Sequence, residues 1–137
     1  MPWYGFLHPA LALFTMVYGV RVAQTSVSRL AEWDFPLRRQ RTRTVIFFLL
    51  CVANLLLGFV VQIFLRAQAR EVKLTLHVPF AAIVVVFSVL ASLVSFSRPR
   101  QPGEVPELMR LHPWILILAI VVMMTMTIIA LLALFGV

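Results

Sequence analysis

The sequence is poor in charged residues and has almost no cysteine. Only 12% of its 137 residues are charged and 62% are hydrophobic, whereas a soluble domain carries about 25% charged residues. This composition excludes a water-soluble globule, a disordered tail and a nucleic-acid-binding module, despite the net charge of +7. The single Cys51 excludes a disulfide framework, a CxxC redox pair and a CxxCH attachment site for c-type haem.

Long apolar runs take up most of the chain instead. Four of them, at about 3–20, 45–65, 74–96 and 111–137, are long enough to cross about 30 Å of hydrocarbon as helix. Lipid-exposed coil is not tolerated at that depth. The sequence therefore predicts an all-α, integral membrane four-helix bundle of two transmembrane hairpins, forming one transmembrane domain over residues 1–137 in the lipid bilayer.

The positive residues are distributed unevenly between the connections. The first and third connections, 25–43 and 97–110, lie on one side of the membrane and hold or border nine Arg residues, against three Arg and Lys residues in the middle connection. The positive-inside rule predicts that the Arg-rich loops are cytoplasmic and that both termini are extracytoplasmic. The membrane is expected to be a bacterial inner membrane. The segment RRQRTR has a second interpretation, a docking surface for an acidic partner.

Each of the three histidines stands at the start of a span and is closely followed by proline, in LHPA, LHVPF and LHPW. Proline is tolerated in the first turn of a helix, so each histidine is expected at a helix N-terminus. The first and third spans run in the same direction, which places His8 and His77 at the same face and His112 at the opposite face. Two imidazoles at one level are what bis-histidine ligation of a b-type haem requires.

Further polar residues accompany this pair. Arg66, Arg70 and Lys73 are expected at the same face as His8 and His77, where they are candidates to bind haem propionates; the alternative is that they snorkel to the membrane interface. His112 is a candidate second iron site, for which a methionine could supply the other axial ligand. Small and polar residues follow the His8 face of the first span, the His77 face of the third span and one face of the second span, and they are expected to point inward. They are Ala12, Thr15, Gly19, Asn54, Gly58, Gln62, Ala81, Ser88 and Ser95.

With these spans and histidines, the chain resembles the small four-helix b-type cytochromes of the cytochrome b561-like class. The resemblance implies haem b held by histidines from facing helices, with electrons passing between quinol or another membrane donor and an external acceptor. His8 and His77 would then be one axial pair. Members of that class commonly have four ligand histidines and two haems, whereas this chain has three histidines.

Three functions remain open from the sequence. The first is a haem b-binding electron-transfer or anchor subunit of a larger membrane redox complex, with quinone nearby and without catalysis as a stand-alone enzyme. The second is a cofactor-free structural or assembly subunit. The third is a chlorophyll-type pigment-binding subunit of a photosynthetic complex. The acidic residues all lie in the connections, which argues against a proton- or cation-coupled transporter.

Overall fold

The computed structural model describes residues 6–29, 36–67, 77–98 and 104–135. Within these ranges the chain forms helices α1 (Leu7–Arg29), α2 (Leu37–Ala67), α3 (His77–Ser95) and α4 (His112–Phe135), with a 3-10 turn at Glu107–Arg110. No strand occurs in this described part of the chain. All four helices there are long and apolar enough to cross a membrane, so the predicted all-α membrane fold is confirmed.

Three of the helices begin where a histidine is followed by a proline, directly in α1 and α4 and after one residue in α3. Pro9, Pro79 and Pro113 lie in the first turns of α1, α3 and α4. A first-turn residue has no intrahelical acceptor for its N–H, so proline removes no hydrogen bond there. Its fixed φ also favours the helical conformation. This is why each histidine of the sequence sits at a helix N-terminus.

Helix α2 is longer than the sequence predicted. It begins at Leu37, directly after Pro36, and so includes the arginine segment that had been assigned to a connection. Hydropathy identifies only the part of a helix that contacts lipid. Because Arg and Gln are good helix formers, the helix continues into the polar arginine segment without a hydropathy signal. Arg41 also fixes this segment against α3, since its Nε donates to the Ser95 carbonyl at 2.7 Å and its Nη2 donates to the Ser97 carbonyl at 3.1 Å. Helix α1 likewise extends beyond the predicted span and ends at Arg29.

The helices pack as an antiparallel bundle. Helix α1 packs against α2 and α4, and α3 packs against the same two helices. Among the described helices, α1 and α3 therefore face each other across one diagonal, and α2 and α4 across the other. One end of the bundle contains the first turns of α1 and α3 with the last turns of α2, and we call it the His8 end. The opposite end, with the first turns of α2 and α4, is the His112 end.

Burial separates the inner and outer faces of the bundle. The polar residues Thr15, Asn54, Ser88 and Ser95 are all buried, as their helical spacing predicted. Large apolar side chains cover the outside, including Ile63 and Trp114, both 66% exposed. A soluble monomer rarely exposes so much contiguous apolar surface. The chain is thus a membrane protein with four spans, whose outer face contacts lipid.

Candidate functional site

His8 and His77 meet at one end of the bundle. Their ring centroids are 5.8 Å apart and the ring planes are inclined by 72°. His8 extends from the second residue of α1 and His77 is the first residue of α3. The two helices run in the same direction on one diagonal, so these first turns bring the imidazoles together across the bundle interior.

The pair has the spacing of two ligands to one metal ion. Imidazoles that bind opposite sides of one ion through nitrogen, with bonds of about 2 Å, have ring centroids about 6 Å apart. Among the described residues, Nδ1 of His8 is buried and has no hydrogen-bond partner. Buried nitrogens of this kind are rare, because an unpaired polar atom loses its hydration without compensation. Spacing and chemistry therefore both fit a metal-bound pair.

Helix α2 forms one side of this site through a glycine. A Cβ atom on Gly58 would lie 3.1 Å from Cε1 and 3.4 Å from Nδ1 of His8. The distance to Cε1 is shorter than an ordinary van der Waals contact, so the ring lies directly against the α2 backbone. Glycine at this position gives His8 the room to lie across the bundle interior.

Asn54 lies one turn before Gly58 on α2 and is 8% exposed. Its Nδ2 donates to Thr15 Oγ1 at 2.6 Å, to the Leu50 carbonyl at 3.1 Å and, at longer range, to the Leu11 carbonyl. These acceptors fix the orientation of the amide. Within the described part of the chain, its Oδ1 is buried and without a partner. The described residues near His8 thus include a second buried polar atom without a partner.

The cationic residues expected here lie beyond what the structure describes. Helix α2 ends at Ala67, and the side chain of Arg66 and the residues Arg70 and Lys73 fall outside the described residues. Their contact with haem propionates stays a prediction.

His112 is far from this pair, at the opposite end of the bundle, and its side chain is 0% exposed. Its Nδ1 is 2.9 Å from Ser26 Oγ and its Nε2 is 2.9 Å from Thr44 Oγ1. The sequence had placed His112 at a candidate second iron site but did not identify these two partners. Thr44 could have been found by continuing α2 towards its polar N-terminus, because position 44 then faces inward with Phe47 and Cys51.

A four-span bundle in which histidines from diagonal helices face each other has the architecture of a membrane b-type cytochrome. A family profile described as eukaryotic cytochrome b561 matches residues 41–137. The match covers most of α2 and all of α3 and α4, so the chain belongs to the cytochrome b561 family. This is a family of membrane proteins that bind haem b and transfer electrons. The searches of curated proteins and of solved structures found no match.

The region matched by the family profile contains two of the three histidines. His77 and His112 lie inside the matched region, whereas His8 precedes it. The family assignment therefore supports haem b as the cofactor but does not test which side chains bind it.

Proposed function

We propose that this chain binds a haem b at the His8 end, where His8 and His77 would hold the iron, and that it transfers electrons there. The meeting of these two rings across the α1–α3 diagonal is the observation that carries the proposal. When bound, haem supplies an iron that gains and loses one electron at a potential set by its ligands and surroundings. The chain's own residues hold the iron, orient its ligands and exclude water.

Asn54 is the residue that we propose orients His8. Three acceptors hold its amide in place, and its Oδ1 remains available to accept an N–H from the imidazole. Histidines that bind metals usually donate their second N–H to such a partner, which fixes the ring and makes the ligating nitrogen more basic. At the same end, Arg66, Arg70 and Lys73 would bind the propionates through charge-assisted hydrogen bonds.

The partners follow from how little of the described chain lies outside the spans. Short connections offer a small surface to a soluble donor, so we propose that electrons are exchanged with quinone in the bilayer or with other subunits of a redox complex. The exposed apolar outer face of the bundle is available to both. The chain would then act as a non-catalytic electron-transfer subunit rather than as a stand-alone enzyme.

We also propose that the His112 end faces the cytoplasm and the His8 end faces outward. The exposed Arg38, Arg39, Arg98 and Arg110 all lie at the His112 end, which is the charge distribution of a cytoplasmic face. The bacterial inner membrane stays a prediction, because the matching family is described as eukaryotic. Reporter fusions to the two termini test the orientation.

Reduced-minus-oxidised absorption spectra of the purified chain test the ligands. We expect the Soret and alpha bands of a b-type haem in the wild type and their loss in His8→Ala and in His77→Ala. Leu7→Ala and Val78→Ala are matched controls, since each truncates the neighbouring side chain on the lipid side of the same helix turn. Bands that survive both histidine substitutions would show that this pair does not bind the haem. A colourless wild type would favour the cofactor-free subunit, and far-red absorption would favour the pigment-binding subunit.

A further inference from the structure

The His112 end contains a closed hydrogen-bond network that joins three helices. Its side chains are Ser26 of α1, Gln40 and Thr44 of α2 and His112 of α4, and each is at most 1% exposed. Gln40 Nε2 donates to Ser26 Oγ at 2.6 Å and to the Val22 carbonyl at 3.3 Å. Because a carbonyl can only accept, the contact with Val22 fixes which end of the Gln40 amide carries the hydrogens.

The other hydrogen bonds of Thr44 and Ser26 determine the direction of the hydrogen bonds that these two residues make with His112. The Thr44 hydroxyl donates its single hydrogen to the backbone carbonyl of Gln40 at 2.9 Å, so towards His112 it acts as an acceptor. Nε2 of His112 must then carry a hydrogen and donate it to Thr44 Oγ1. On the other side, Ser26 Oγ accepts from Gln40 and has its own hydrogen free for Nδ1 of His112. A neutral His112 with its hydrogen on Nε2 satisfies every one of these contacts.

Close packing surrounds the network. Phe47, Met109 and Leu116 are each 0% exposed, and Phe47 and Leu116 lie within about one turn of Thr44 and His112 respectively. A Cβ on Gly19 would lie 2.5 Å from Cε2 of Phe47, so α1 and α2 approach closely here. At the His8 end, by contrast, the two histidines are only partly buried. A flat macrocycle beside His112 would have to displace both the network and this packing.

We infer that His112 binds no iron and is a neutral structural imidazole, so that this chain has its redox centre at the His8 end alone. The inference rests on the proposed function for the location of that centre. About 18 residues of α1 separate His8 from Ser26, which is about 27 Å along the helix axis. A one-electron donor at the His8 end would therefore be oxidised, and a one-electron acceptor at that same end reduced, without passage of the electron to the opposite face.

Haem stoichiometry and nitrogen spectroscopy test this inference together. We expect one haem per chain, by pyridine haemochromogen assay against quantitative amino-acid analysis, in the wild type and in His112→Gln. Two haems in the wild type, or a halved haem content in His112→Gln, would overturn it. Because His112→Gln replaces a fully buried side chain, Thr44→Val serves as a second variant that leaves all three histidines intact, and we expect it to bind one haem as well.

The tautomer of His112 gives a readout that is independent of haem. In ¹⁵N-histidine-labelled protein, we expect a protonated Nε2 and an unprotonated Nδ1 at normal diamagnetic shifts, with both resonances changed by Thr44→Val. A protonated Nδ1, or shifts broadened by a nearby ferric iron, would contradict the inference. If the wild type contains no haem at all, the proposed function fails, but this spectrum still decides the role of His112.

Vesicles test the consequence for electron transfer. The chain is inserted into quinone-free phospholipid vesicles with ferricyanide sealed inside, and dithionite is added outside. We expect ferricyanide to be consumed no faster than in protein-free vesicles. Consumption accelerated severalfold by the wild-type chain would show electron transfer across the bilayer and overturn the single-ended arrangement.

Discussion

The imidazole of His8 lies edge to face against that of His77, with 5.8 Å between ring centroids, although the residues are 69 positions apart in the chain. The contact joins diagonal helices, so it depends on how all four helices pack rather than on one hairpin. Each helix of the pair has a histidine in its first turn with a proline one or two residues later, which sets the depth of its imidazole. The packing of the four helices brings the two imidazoles close together across the bundle. The depth and the packing together form the proposed haem site.

Gly58 provides the first test of this site. Gly58→Ala introduces a Cβ about 3.1 Å from Cε1 of His8, which pushes the ring away from α2. We expect a severalfold weaker haem affinity in titrations of the apoprotein. Alanine is the better helix former by about 1 kcal/mol, so thermal stability without haem should not fall. A loss of apoprotein stability with unchanged haem affinity would show that Gly58 serves helix packing and not the site.

Asn54 is expected to tune the haem through His8. Asn54→Leu removes the acceptor Oδ1 while keeping a similar volume, so the ligating nitrogen of His8 becomes less basic. A less basic ligand stabilises the oxidised iron less, and the midpoint potential should rise while the haem is retained. Thr15→Val is the control, because it removes a partner of Asn54 Nδ2 but leaves Oδ1 in place. Equal shifts in both variants would mean that Asn54 acts only by holding α1 against α2.

Gly19 tests the packing of α1 against Phe47 of α2. A Cβ at this position would be 2.5 Å from Cε2 of Phe47, a distance that real contacts do not reach. Gly19→Ala should lower the free energy of unfolding in detergent by about 1–3 kcal/mol, the usual cost of overpacking a core. The double variant with Phe47→Leu should recover part of this loss. Without such recovery, the close approach of α1 and α2 would not be the cause.

Arg41 is expected to hold the end of α3. Its guanidinium donates to the carbonyls of Ser95 and Ser97 and lies 5.6 Å from the centroid of the Phe96 ring. Arg41→Ala should cost about 1–2 kcal/mol in unfolding free energy, because hydrogen bonds from a charged group to terminal carbonyls are lost. Arg41→Lys should not restore it, since lysine cannot reproduce the planar donor geometry.

The exposed Arg38→Ala is the control for Arg41, and we expect a change within about 0.5 kcal/mol. If both substitutions destabilise the protein equally, the net charge of the segment matters more than the contacts of Arg41 with α3.

The sequence allowed the spans and the level of the histidines to be predicted, because both follow from local rules. Apolar length identifies a membrane helix, and proline after histidine identifies a first turn. The start of α2 at Leu37 was missed, since a polar helix that leaves the membrane has no hydropathy signal. The identification of Arg38, Arg39, Arg41 and Arg43 as loop residues was wrong for this reason.

The network of His112 could not be predicted in the same way. Ser26, Gln40 and Thr44 come from two helices, and whether they face His112 on a third depends on the rotation of each helix about its own axis. Side-chain packing sets that rotation. The contact between Gly58 and His8 was inaccessible for the same reason, although the polar stripe through Asn54 and Gly58 correctly indicated the inward face of α2.

Electron–nuclear double resonance on the ferric, ¹⁵N-histidine-labelled protein tests the central claim most directly, because it counts the imidazole nitrogens bound to iron. We expect two in the wild type and one in each of His8→Met and His77→Met, whose potentials should also rise because a thioether replaces an imidazole. Two bound imidazole nitrogens in either methionine variant would contradict the proposal that His8 and His77 share one haem iron.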